Sequence, residues 1–168
     1  METRSITTKV PMVPRMSENP VELVPELAEV SAALFKATGN GSVPRSTISL
    51  VQLRAGQLVG STYLTVLHTG LLRKAGASEE QISSVVSWRD SPYFTGPERA
   101  ALALVEAVLQ PSADGERVSD DLYAQAAEHY EAKALATVML AIGQVNCFIP
   151  LALIAKPVPG RSFTDPWK

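Results

Sequence analysis

Apolar residues recur every three to four positions along most of this chain, and that spacing predicts helices nearly from end to end. Leu27, Val30 and Leu34 share one face of a first helix that ends near Thr38, just before Gly39. Asn40-Gly41-Ser42 reads as a loop. Pro44 suits the first turn of a second helix, with Ile48, Val51, Ala55 and Leu58 on one side. Ser61 stands as the N-cap of a third helix that stops near Gly76. Ser78-Glu79-Glu80-Gln81 spells a capping box for a short fourth helix containing Ile82, Val85 and Val86. Thr95-Gly96-Pro97-Glu98 spells another, opening a fifth with Leu102, Val105 and Leu109. Ser119 followed by two aspartates caps a sixth. Leu135, Val138, Ile142, Val145 and Ile149 mark a long seventh, which Pro150 is expected to break or kink. No stretch alternates as a strand does, and no repeat is evident. The expectation is an all-α fold of about seven helices with no sheet.

The two ends read differently. Residues 1–20 hold Pro11, Pro14 and Pro20 and no apolar core segment, so they are expected to be an extended arm rather than a signal peptide. Residues 21–156 form the helical domain, and 157–168, with Pro157, Pro159, Gly160 and Pro166, an irregular tail. The longest uninterrupted apolar run, Cys147 to Ala155, is too short to span a bilayer.

Composition narrows the function. A chain of 168 residues is one domain with room for a real core. Hydrophobic residues make up 46% and mean hydropathy is +0.09, which leans toward burial of helix faces between subunits. A net charge of −2 gives no electrostatic footprint for nucleic acid. One cysteine, Cys147, excludes an internal disulfide and fits a cytoplasmic location. Neither paired cysteines nor clustered histidines indicate a metal, and no Gly-rich phosphate loop is present.

Residues Gly60 to Thr69 read G-S-T-Y-L-T-V-L-H-T. This run resembles the active-site helix of the AhpD-like alkylhydroperoxidases, in the carboxymuconolactone decarboxylase superfamily, whose signature is G-C-x-Y-C-x-x-x-H-T. Gly60, Tyr63, His68 and Thr69 fall on the pattern, whereas Ser61 and Leu64 stand where the redox cysteines should be. Leu50-Val51-x-Leu53-Arg54 and Gln57 match the preceding helix. Ser91-Pro92-x-Phe94-Thr95, with Glu98-Arg99-Ala100-Ala101-Leu102-Ala103-Leu104, matches the following one, and Asn146 matches an asparagine of the last helix. The resemblance covers about residues 44 to 155 and implies the AhpD-like helical fold.

The resemblance also implies a peroxidatic relay, and this chain lacks most of it. Ser49 occupies the place of the relay glutamate, so only His68 is kept. A serine hydroxyl ionises far less readily than a thiol and cannot cycle through a disulfide. Cys147 lies at neither motif position. Ser61 and His68 are seven residues apart, roughly 10 Å along a helix, too far for a direct nucleophile–base pair. On a helical wheel Ser61, Thr65, His68 and Thr69 form a polar stripe beside apolar Tyr63, Leu64, Leu67 and Leu71, with His68 on the border.

These residues point to a cofactor-free small-molecule enzyme of lyase, isomerase or cyclase type. His68 is its catalytic general acid or base, given its near-neutral intrinsic pKa. Ser61, Tyr63, Leu64, Thr65 and Gln57 are its candidate substrate contacts. Plainer roles exist for each. Ser61 can simply cap a helix, Thr65 and Thr69 can bond backbone carbonyls, and Tyr63 can be a core aromatic. Arg54 suits an interhelical or intersubunit ion pair, and His129 a solvated helix end. The alternative is a non-catalytic ligand-binding or structural oligomer; residual alkylhydroperoxidase activity comes last. The expected partners are a small-molecule substrate and further copies of the chain, as a dimer, trimer or hexamer, with no nucleic acid, membrane, metal or cofactor.

Overall fold

Side-chain caps set where most of the helices begin. Ser61 Oγ accepts from the Leu64 amide at 3.2 Å, Ser78 Oγ from Gln81 at 3.1 Å and Ser119 Oγ from Leu122 at 3.2 Å. Each such cap is worth about 1 kcal/mol. Thr95 and Glu98 complete a reciprocal box. At Ser78 only half of the expected box forms, because the Gln81 side chain donates to Glu98 Oε1 at 3.2 Å instead of turning back on its own helix. Pro44 is itself the N-cap of its helix rather than a first-turn residue.

The computed structural model describes residues 12–113 and 115–167, so the first eleven positions of the expected arm lie outside the described residues. Within them the helices are α1 (Pro20–Leu23), α2 (Glu26–Thr38), α3 (Arg45–Leu58), α4 (Thr62–Lys74), α5 (Glu79–Ser84), α6 (Gly96–Leu109), α7 (Asp120–His129) and α8 (Ala132–Ile154). A short 3-10 turn, Val85–Ser87, continues α5. Among the described residues there is no strand, and the fold is all-α and AhpD-like. α8 runs through Pro150 without a break. Pro150 and Asn146 both lie on the exposed face, where water can take the carbonyl that proline leaves unbonded.

α3 is the axis of the molecule and is buried on two sides. Ile48, Val51 and Ala55 join a core with Leu64, Ala101, Val138 and Val145. Leu50 and Leu53 join a second core with Leu72, Val85, Trp88 and Leu102. α3 and α4 pack closely because Gly56 has no side chain: a Cβ there would sit 3.0 Å from Leu64 Cβ and 3.0 Å from the Thr65 amide nitrogen. Gly60, at φ +68°, makes the tight turn between the two helices, a backbone region that glycine enters without strain.

The ends of the chain clasp each other. Asn19 Nδ2 donates to the Phe163 carbonyl at 2.8 Å, and Trp167 Nε1 donates to the Met16 carbonyl at 2.8 Å. Arg15 and Met16 amides both bond the Ala155 carbonyl. This clasp fixes the tail, and with it Phe163, against α4 and α8.

α8 has a second side. Met139, Leu140 and Ile154 are 58%, 40% and 62% exposed, and Ala136, Gly143, Cys147 and Pro150 continue the same seam at spacings of three and four. At 23 residues, with a mean hydropathy of 1.9 over an 18-residue stretch, it is the one helix among the described residues long and apolar enough to cross a membrane. The expectation that no segment reached that length counted only the uninterrupted run from Cys147. Thr137, Gln144 and Asn146 interrupt the run in sequence without ending the helix. Here its inward side packs against α2 and α3.

A candidate ligand cavity beside His68

Leu64, His68 and Leu72 are spaced four apart on α4 and form its buried ridge. His68 is therefore not on the border of a polar stripe, as the helical wheel suggested, but on the inward face at 7% exposure. Beside it lies a cavity of about 400 Å³ bounded by α2, α3, α4, α8 and the tail. Its walls are apolar: Phe35, Ile48, Leu64, Leu67, Phe148 and Phe163. Its polar lining consists of Ser31, Ser49, Gln52, His68 and Gln144, with Arg45 and Lys74 among the residues nearer solvent.

His68 Nδ1 is buried and has no hydrogen-bond partner among the described residues. Burial pushes the imidazole pKa down from 6.5 to about 4. The near-neutral value expected from sequence thus gives way, because no carboxylate offsets the loss of solvent. At neutral pH His68 is an uncharged imidazole, available as a base or as a hydrogen-bonding group. A buried unmet polar atom costs about 1–3 kcal/mol, which a ligand that bonds it would return.

The two glutamines orient each other. Gln52 Nε2 donates to Gln144 Oε1 at 2.9 Å and to the Ala141 carbonyl at 3.3 Å. The Thr38 hydroxyl lies 3.3 Å from the same Gln144 oxygen. With its oxygen so engaged, Gln144 keeps its NH₂ group unspent among the described residues, and that side chain lines the cavity.

The structure separates the candidate substrate contacts. Leu64 and His68 line the cavity together. Ser61 and Tyr63 open instead onto a separate space of about 390 Å³ beside Lys156 and Pro157. Ser61 caps α4, and Tyr63 packs its ring at 4.8 Å from Phe163. Burial, and then the charge of Asp165, push the Tyr63 phenol up to about 12. Thr65 lines neither space, and Gln57 accepts from Arg54 Nη1 at 3.3 Å. Arg54 makes the interhelical ion pair expected of it, 2.7 Å from Glu106. His129 is exposed in the last turn of α7. Among the described residues no three His, Cys, Asp or Glu side chains are grouped to hold a metal.

Sequence reasoning missed Gln52, Gln144, Arg45 and Phe163. The glutamines carried a signal, being polar residues inside apolar helices. Phe163 carried none, since only the clasp of the two termini brings it to the cavity.

Comparison with known proteins agrees with this architecture. The model of the carboxymuconolactone decarboxylase family matches residues 25–107, spanning α2 to α6. The uncharacterised protein YdfG of Bacillus subtilis (strain 168) is 32% identical over 126 residues, 74% of this chain and 84% of its own. The uncharacterised YnjA of Escherichia coli (strain K12) is 31% identical over 100 residues, 58% of this chain and 52% of its own. Among solved structures, a protein of unknown function from Agrobacterium tumefaciens, a candidate AhpD antioxidant defence protein, superposes with a TM-score of 0.76 at 26% identity, covering 86% of this chain and 98% of that one. The debrominase Bmp8, solved with 2,3,4-tribromopyrrole, shares the fold at a TM-score of 0.71 and 15% identity, over 81% of this chain and 72% of its own. Family model, relative and fold agree: the chain belongs to the carboxymuconolactone decarboxylase family.

Proposed function

We propose that this protein is a cofactor-free enzyme acting on a small, mostly apolar molecule in the α2–α3–α4–α8 cavity, with His68 as the proton-transfer group. The observation that carries the reading is the buried, unpartnered Nδ1 of His68 beside an apolar cavity of ligand size. A histidine kept only for packing would be expected to spend that atom on a backbone carbonyl. The low pKa makes His68 a base in the free protein. Taking a proton there creates a buried imidazolium, so the reaction must place negative charge on the substrate beside it. An isomerisation or ring closure that starts from a carbanion, enolate or alkoxide fits such a step, whereas a decarboxylation would need His68 to deliver a proton to the carbon that loses carbon dioxide. The experiment is native mass spectrometry of the protein after exposure to a small-molecule extract, followed by incubation of any captured compound with fresh protein. Conversion of that compound supports the reading; capture with release unchanged supports the non-catalytic binder instead.

Thiol peroxidase activity is expected to be absent, because Ser61 and Leu64 replace the thiol pair and Cys147 lies on the exposed side of α8. Hydroperoxide consumption with dithiothreitol as donor should not exceed that of a Cys147→Ala variant. Activity that vanishes in Cys147→Ala would reveal a thiol route and overturn this.

The same reading includes self-association. The exposed apolar seam of α8, with Phe35 at 58% exposure on α2, offers an apolar face that a second copy of the chain would cover. Light scattering at micromolar concentration should return a multiple of 18.0 kDa. A mass equal to one chain would overturn it.

A further inference from the structure

We infer that the His68 cavity takes an amphipathic monoanion: an apolar body carrying one carboxylate, with the carboxylate held at the rim by Arg45 and Lys74. The inference rests on the reading of this cavity as the functional site and adds the chemical class of its occupant.

The charges around the cavity all have one sign. Arg45 and Lys74 line it, and no aspartate or glutamate does. Both cations are exposed, at the open side. The α3–α4 hairpin accounts for both lining one cavity. Arg45 is the first residue of α3 and Lys74 the last of α4, and the tight turn at Gly60 joins the opposite ends of the two helices.

Each cation is available. The Arg45 guanidinium stacks 4.1 Å from the Phe35 ring centre and spends Nη2 on the Phe35 carbonyl at 3.2 Å. Its other donors are unspent among the described residues, and the stacking holds the planar fork that suits a carboxylate. Lys74 has no partner among the described residues, whereas neighbouring Arg73 is tied to Glu79. Among the described residues no carboxylate neutralises either cation, so the mouth of this apolar cavity carries net positive charge.

Deeper in, the polar atoms are neutral: the Ser49 hydroxyl, the Gln144 amide and the uncharged His68. They suit a carbonyl or hydroxyl on the ligand body. A second carboxylate placed there would lose its hydration with no cation to meet it. His68 precedes Lys74 by six residues, roughly 9 Å along α4, so the group beside the imidazole lies several bonds from the anionic end.

The test is calorimetric titration of the full chain with four probes of one length: octanoate, octanamide, octylamine and suberate. Octanoate should bind with one site per chain and about tenfold more tightly than octanamide, the ordinary worth of a charge-assisted hydrogen bond. Octylamine should bind more weakly than the amide, and suberate more weakly than octanoate. Arg45→Gln and Lys74→Gln should each reduce the octanoate preference, and in the double variant octanoate should bind no more tightly than octanamide. Raised salt should weaken octanoate alone. Leu67→Trp, which fills the cavity from a half-buried wall, should abolish all probe binding. Equal affinity for octanoate and octanamide would overturn the anion and leave the cavity reading standing. Octanoate binding that survives Leu67→Trp would place the probe elsewhere and overturn the inference. Failure of every probe to bind would overturn both.

Discussion

Replacing His68 by alanine is expected to lower turnover by roughly two to four orders of magnitude, the usual worth of a positioned proton-transfer group. Ser61→Ala is expected to cost far less. Ser61 caps α4 and faces a different space, so its loss removes about 1 kcal/mol of helix stability and leaves the chemistry alone. Both variants should remain folded, His68→Ala because it removes a buried polar atom that had no partner. The measurement is kcat and KM on a captured substrate. Full turnover in His68→Ala with loss in Ser61→Ala would mean that the serine is the reacting group. A His68→Ala variant with unchanged kcat and raised KM would make the histidine a binding group only.

The pH dependence sharpens this. Burial lowers the folded-state pKa of His68 from 6.5 to about 4. If His68 is the base, kcat/KM should stay flat from pH 8 down past 6.5 and fall only near pH 4. Stability follows the same shift. Below pH 6.5 the unfolded chain takes up a proton that the folded chain refuses until about 4, so stabilisation present at neutral pH drains away across that window. The whole effect is on the order of 3 kcal/mol for a shift of this size. His68→Ala should lack this slope. An acid limb centred at 6.5 in the wild type would show that the imidazole is not held in a dry site.

Much of the fold was legible because its punctuation is local. Ser61, Ser78, Thr95 and Ser119 announce helix starts through bonds to residues three positions on, and those bonds form. The site was legible only in part. The motif frame led to His68 and Leu64, and they do line one cavity. A helical wheel also placed Ser61 and Thr65 with His68, but it cannot know which side α3 covers. Gly56 lets α3 press against Leu64, which fixes 64, 68 and 72 as the inner ridge and leaves Ser61 on another space. The pKa of His68 was illegible for the same reason. It depends on surrounding helices, on the absence of a carboxylate, and on a tail whose docking needs contacts 144 and 151 residues apart.

Glu106→Ala is expected to destabilise the fold by about 3–5 kcal/mol, because it strips a buried charge network of its centre. Glu106 is 4% exposed on α6. Its Oε1 accepts from Arg54 Nε at 2.8 Å and from Trp88 Nε1 at 2.9 Å, and Arg89 reaches Oε2. Burial alone would raise its pKa, but the bonds from Trp88, Arg89 and Arg54 outweigh that and hold the carboxyl below its ordinary 4.5. Its contribution is therefore present above that value and lost as pH falls through the depressed one. Removing the carboxylate leaves the Arg54 side chain, 13% exposed, without its counter-charge between α3 and α6, and leaves the buried Trp88 Nε1 without an acceptor. For a chain of this length the loss corresponds to a drop in Tm of about 10 °C. Glu106→Gln keeps an acceptor but no charge and should fall between. The Arg54→Met/Glu106→Leu double variant should be more stable than Glu106→Ala, since it leaves no buried Arg54 charge to compensate. Thermal unfolding of the four proteins decides it: a Glu106→Ala midpoint within about 2 °C of wild type would mean that solvent already screens this network, and that packing between α3 and α6 holds without it.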